Sequence, residues 1–146
     1  KINLHLIGKL QTNKVKSAVN IFDYIHSLDS EKLAKKIADE QNKQNKKIKI
    51  FIQINLGDES QKSGINKNNL LDFYNFAKNL GLNIIGTMCI PPFGEDSSKF
   101  FSEMRKLNET IDLSELSMGM SSDYLNAVDH KSTYLRIGSS IFGQRG

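Results

Sequence analysis

The chain has 146 residues, 38% apolar and 25% charged, with a net charge of +4; that length suits one compact domain, and the mix suits a globular protein with a core. No apolar run approaches the roughly 18 residues that cross a bilayer, and the opening Lys1-Ile2-Asn3-Leu4-His5 has no signal-peptide pattern, so no membrane role is expected. Cys89 is the single cysteine, which excludes an intrachain disulfide or a cysteine-rich metal cluster and points to a reducing, cytoplasmic setting.

Leu4-His5-Leu6-Ile7 reads as a short strand ending at Gly8, followed by a basic helical stretch from Thr12 to Val19. Phe22 to Ser27 reads as a second strand. Asp29 or Ser30 can then cap a helix whose stripe is Leu33, Ala34, Ile37 and Ala38. The stretch Gln41 to Lys47 is dense in lysine without an aromatic residue, whereas single-strand binding pairs a basic groove with stacking rings. No nucleic-acid partner is expected.

Isoleucine occupies every second place in Ile48-Lys49-Ile50-Phe51-Ile52-Gln53-Ile54-Asn55, the period of a strand. With the isoleucines against helices, Gln53 and Asn55 face a polar interior near the strand's carboxyl end, where α/β proteins build sites. The pattern predicts a helix from Asn66 to Leu80 stopped by Gly81, and a strand from Leu82 to Met88 closed by Pro91-Pro92. A helix bearing Phe100, Met104 and Leu107 follows, then a strand around Leu116, a helix with Tyr124, Leu125 and Val128, and a strand from Tyr134 to Ile137.

Repeated strand–helix alternation implies parallel strands with right-handed crossovers. A closed eight-stranded barrel takes about 250 residues, so the expectation is an α/β chain of (β/α)8 TIM-barrel type, incomplete at about six units. Residues 1–146 read as one partial domain.

Two turns could hold a ligand. Leu116-Ser117-Met118-Gly119-Met120-Ser121-Ser122 follows one strand, and Arg136-Ile137-Gly138-Ser139-Ser140-Ile141-Phe142-Gly143 follows the last. In barrels the loops after the last two strands often hold a phosphate through backbone N–H groups. Each turn alone reads better as an ordinary turn with an N-cap; the pair brings the phosphate reading level. Arg136 either enters the site or pairs with a core carboxylate. His5, His26 and His130 lack zinc-ligand spacing, so no metal is expected, and a strand histidine is more often a hydrogen-bonded barrel residue. Met88, Met118 and Met120 read as packing residues, some of them able to line a pocket. Asp58-Glu59 reads as a solvated loop pair.

These segments together resemble the pyridoxal-phosphate homeostasis protein family, single-domain relatives of the alanine-racemase barrel. The match runs through His5-Leu6-Ile7-Gly8-Lys9-Leu10-Gln11-Thr12-Asn13-Lys14, His26-Ser27-Leu28-Asp29, Ile54-Asn55, Glu59, Lys62-Ser63-Gly64 and Gly86-Thr87-Met88-Cys89-Ile90-Pro91. It is strongest in the two turns. The resemblance implies that pyridoxal 5'-phosphate is the cofactor. Its phosphate would sit on Ser117 and the backbone around Met118 and Gly119, joined by Gly138 and Ser139. Arg136 would face the ring nitrogen, and Asn55, Met88 and His5 would line the ring's surroundings.

An arginine at that nitrogen disfavours its protonation and makes the ring a poorer electron sink. The implied role is therefore a cytoplasmic cofactor carrier or buffer without catalysis, monomeric at full length and exchanging cofactor with dependent apoenzymes. The resemblance also implies two further strand–helix units ahead of Lys1, the first carrying the lysine that binds the aldehyde. Lys62 would be the candidate substitute, ahead of Lys9 and Lys14, while Lys49 lies at the wrong end of its strand. Exposed sheet edges would then make this polypeptide less stable than an extended one. The competing readings are a pyridoxal-phosphate-dependent amino-acid racemase and a sugar-phosphate-binding barrel.

Overall fold

The computed structural model describes residues 1–57 and 63–144. Along them run β1 (His5–Leu6), α1 (Val15–Ile21), β2 (Tyr24–Leu28), α2 (Glu31–Gln44), β3 (Lys49–Asn55), β4 (Ile65–Asn66) and α3 (Leu70–Asn79). There follow β5 (Asn83–Met88), α4 (Ser97–Thr110), β6 (Glu115–Met120), α5 (Tyr124–Asp129), β7 (Tyr134–Arg136) and α6 (Ser139–Phe142). All the pairings are parallel, in the order β1-β2-β3-β5-β6-β7 with β4 added to β3. The sheet curls strongly: Tyr24 on β2 and Tyr134 on β7 sit far apart in strand order, yet their ring centroids are 5.7 Å apart. This is a half-barrel of the expected α/β type.

Alternation on β3 divides the molecule into two layers. Ile48, Ile50, Ile52 and Ile54 join the main core between sheet and helices, with Leu33, Ala34 and Ile37 of α2 and Leu70, Phe73 and Ala77 of α3. Burying each large aliphatic side chain contributes about 1.5–3 kcal/mol. Phe51, on the opposite face, packs inside the curl with Tyr24 and Met88. Ser30 caps α2, its Oγ accepting from the Leu33 N–H at 3.1 Å. At the other end Asn45 takes the left-handed conformation, φ 52°, which asparagine tolerates better than most residues.

Three predicted elements are corrected. The helix expected from Asn66 begins later, at Leu70, because Ile65 and Asn66 extend as β4 beside Ile54 and Asn55, followed by a 3-10 turn at Lys67–Asn69. The strand expected from Phe22 begins at Tyr24, since the Phe22 N–H still closes α1 on the Ala18 carbonyl. The third concerns β6. Glu115–Met120 is strand, so Ser117, Met118 and Gly119 belong to the sheet and the turn itself starts at Ser121. Gly119 permits this path: its φ is +105°, and a Cβ there would sit 2.7 Å from the Ala127 Cβ and 2.9 Å from Leu135 Cδ2.

Candidate functional site

Parallel strands bring their carboxyl ends to one rim, where Asn55, Met88, Met120 and Arg136 are the final residues of β3, β5, β6 and β7. Arg136 is 8% exposed, and its Nη2 donates to the Cys89 carbonyl oxygen at 2.7 Å. Its Nε and Nη1 are buried without a hydrogen-bond partner among the described residues. No carboxylate hydrogen bond to this arginine is seen among the described residues. Burial lowers its tendency to hold a proton, while the nearby Cys89 and Asp123 act the other way. The Cys89 thiol is itself pushed up to about 12 by burial, so it stays a thiol.

The turn after β7 meets the turn after β6. Gly138 N–H and Ser140 N–H both donate to Ser121 Oγ, at 3.3 Å and 3.0 Å. Two backbone donors converging on one oxygen is the geometry an oxyanion uses. Ser121 carries this junction, although the sequence reading placed the site role on Ser117. The available signal was the strand's length: a β6 that runs on to Met120 leaves Ser121 as the first hydroxyl beyond it.

Ser117 lies inside the sheet at 0% exposure, and its hydroxyl is committed to His26 Nδ1 at 2.7 Å. Met118 is packed in the core between sheet and helices. Met88 is fully buried on the inner face beside Phe51. Asn55 Oδ1 accepts from the Gly57 N–H at 3.2 Å. With Gln53, Gly57, Ser63, Ile90 and Pro92 it lines a cavity of about 160 Å³, which realises the polar strand end expected of β3.

Beneath the rim lies a cluster of rings. His5 on β1 stacks on Tyr24 at 4.0 Å between centroids, and His26 stacks on Phe51 at 4.4 Å. Tyr134 closes the group from β7, edge-on to Phe51 at 5.1 Å. His5 Nδ1 and His26 Nε2 are hydrogen-bonded at 2.9 Å, so these two strand histidines are hydrogen-bonded barrel residues. Burial first, then the neighbouring His5 and Arg136, push His26 down to about 3. His5 is lowered by burial against the opposing pull of Asp23. Tyr134 is raised to about 12, chiefly by its hydrogen bond with Tyr24. His5 pairs in register with Tyr24, and Tyr24 with Lys49, the first residue of β3. It therefore sits at the amino-terminal end, away from Arg136 and the Ser121 junction. His130 lies apart, its Nδ1 bonded to the Asn126 carbonyl. Lys62 and the Asp58-Glu59 pair fall outside the described residues.

Residues 2–146 match the model of the alanine racemase N-terminal domain. The pyridoxal phosphate homeostasis protein of Aquifex aeolicus is 36% identical over 97% of the chain, which spans 66% of that relative. For the protein of the same name from Synechocystis the figures are 37% identity, 99% of this chain and 71% of the relative. Among solved structures, PipY of Synechococcus elongatus with PLP bound aligns with TM-score 0.90 and 33% identity, covering 97% of this chain and 71% of that one. Among the described residues no helix is long and apolar enough to cross a membrane.

Proposed function

This chain belongs to the pyridoxal phosphate homeostasis protein family, and we propose from that premise that it binds pyridoxal 5'-phosphate at the carboxyl ends of β5, β6 and β7. The carrying observation is the pair of buried, unpartnered Arg136 groups, Nε and Nη1. A buried donor without an acceptor costs about 1–3 kcal/mol, and an unprotonated pyridine nitrogen is an acceptor that removes this cost. The residues present therefore fit the cofactor at its ring end. They fit it at the phosphate end as well, where Ser121 Oγ and the N–H groups of Gly138 and Ser140 already converge. Ser139, exposed at the start of α6, adds a hydroxyl to that group. Asn55 and Met88 flank the ring from β3 and β5. Ser117, Met118 and Gly119 act through the path of β6 rather than through contact, and His5 supports the rings below.

Bound pyridoxal phosphate supplies an electrophilic aldehyde and a ring that can accept electrons when its nitrogen is protonated. Arg136 opposes that protonation, because two adjacent positive charges repel in a desolvated site. Such a site holds the cofactor while weakening its use as an electron sink. The role we assign is thus storage and release of the cofactor in the cytoplasm, with pyridoxal-phosphate-dependent apoenzymes as recipients and without turnover of an amino acid by this protein.

The test loads the protein with pyridoxal phosphate, mixes it with an apoenzyme, and follows both recovery of that enzyme and racemisation of alanine by the carrier alone. Apoenzyme recovery without racemisation is expected. Racemisation at an enzymatic rate, or failure to bind the cofactor, would overturn the proposal.

A further inference from the structure

Three groups from three strands lie in a line: Ser117 Oγ on β6, His26 on β2 and His5 on β1, joined at 2.7 Å and 2.9 Å. Both nitrogens of the His26 ring are engaged, and the ring is 2% exposed. A neutral imidazole carries one N–H and one bare nitrogen, so the line must run one way. Either Ser117 donates to Nδ1 and Nε2–H donates to His5, or His5 donates to Nε2 and Nδ1–H donates to Ser117.

The surrounding charges choose between them. Cys89 ties Arg136 to the Ser117 end, its carbonyl accepting from Arg136 Nη2 at 2.7 Å and its N–H donating to the Ser117 carbonyl at 3.2 Å, and Arg136 acts on His26. Asp23 lies at the His5 end, its Oδ2 accepting from the N–H of the adjacent Leu4 at 2.9 Å, and acts on His5. A cation at the Ser117 end and a carboxylate at the His5 end both favour a dipole whose negative end lies toward Ser117. Lys49 and Tyr24 face His5 from the amino-terminal side, with Lys49 Nζ directed at the Tyr24 ring and hydroxyl; Tyr134 lies across the interior beside Glu115. Tyr134 pairs in register with Ser117, yet neither it nor Glu115 is among the influences on His26, where Arg136 is the charge that acts, and Lys49 is not among those on His5.

We propose that His26 is a positioning residue, fixed as the Nε2–H tautomer in a one-way hydrogen-bond line from Ser117 to His5 whose negative end steadies the Arg136 guanidinium. The line leaves the Ser117 oxygen electron-rich near a cation that, among the described residues, makes one hydrogen bond, to Cys89. It holds that cation in place without a counter-carboxylate, which would neutralise it. No proton needs to move. The orientation stands on the hydrogen-bond geometry; its consequence for ligand choice rests on the assignment of Arg136 to the ring nitrogen.

Two measurements test it. In the cofactor-free protein labelled with nitrogen-15 histidine, one-bond couplings are expected to place the His26 proton on Nε2 and leave Nδ1 bare. A proton on Nδ1, or an averaged tautomer, overturns the line. In Ser117→Ala, the preference for pyridoxal phosphate over an analogue with carbon in place of the ring nitrogen is expected to fall about threefold, the scale of a lost neutral hydrogen bond. Binding of pyridoxal phosphate relative to pyridoxal should not change. An unmoved ring preference refutes the positioning role even if the tautomer is as stated. Failure of the unaltered protein to bind pyridoxal phosphate would instead refute the proposed function, and the nitrogen spectrum would still decide the line.

Discussion

Arg136 at the end of β7 meets Cys89, the residue just after β5, across an intervening strand, the guanidinium Nη2 donating to the Cys89 carbonyl oxygen at 2.7 Å. This bond crosses over β6 and pins the arginine at the rim, with Nε and Nη1 buried and without a hydrogen-bond partner among the described residues. A cation taken out of water and given one backbone acceptor is a poor choice for stability alone. On the proposed reading, the other two nitrogens are held for the cofactor's ring nitrogen.

The two serines of the β6 segment should separate cleanly. Ser121→Ala removes the oxygen on which the Gly138 and Ser140 N–H groups converge and is expected to reduce the preference for pyridoxal phosphate over pyridoxal by about tenfold, near 1.4 kcal/mol. Ser117→Ala leaves His26 without its buried partner and should cost about 1–3 kcal/mol of stability instead. Parallel ligand titrations and urea unfolding of both variants would check this. A larger phosphate effect in Ser117→Ala would restore the role expected from the sequence.

Close strand packing fixes the rim from behind. A Cβ at Gly86 would meet the backbone carbonyl of Glu115, whose carbon lies 2.6 Å away. Backbone cannot yield as a flexible side chain can, so Gly86→Ala should lose about 2–3 kcal/mol in urea unfolding through strain between β5 and β6. A loss below about 0.5 kcal/mol would show that the two strands are less tightly joined than described.

Acid should act through His26. Its folded value is pushed down to about 3, while 6.5 holds for the free side chain. Between those values the unfolded chain binds the extra proton, so stability rises with pH. The contribution is complete above 6.5 and is lost as pH falls toward about 3, below which it stays constant. Chemical unfolding across this window should give a flatter pH dependence in His26→Gln than in the unaltered protein. Equal slopes would mean that His26 is protonated in the folded state too.

Local pattern carried much of this architecture. The isoleucine alternation of β3, the Ser30 cap and the Gly81 stop each depend on a few consecutive residues, and the structure follows them. Ile65-Asn66 was not legible as a strand because two residues have no period; their extension comes from pairing with Ile54 and Asn55. Arg136 stood out as an arginine on a short apolar strand, yet its acceptor at Cys89 is set by sheet curvature. The same holds for His26, whose partners lie 21 and 91 residues away along the chain. Ser117 was misplaced onto a turn because a glycine two residues later looks like a strand end, whereas the left-handed Gly119 lets β6 approach α5 and continue.

The most direct test of the account pairs one substitution with one ligand change at the ring nitrogen. Pyridoxal phosphate and its analogue with carbon in place of that nitrogen would be titrated against the unaltered protein and against Arg136→Met. We expect the unaltered protein to prefer pyridoxal phosphate by about 10- to 100-fold, the range of a charge-assisted hydrogen bond, and Arg136→Met to bind both ligands alike. Equal binding of the two ligands by the unaltered protein would contradict the account, because the buried Arg136 donors would then serve something other than the ring.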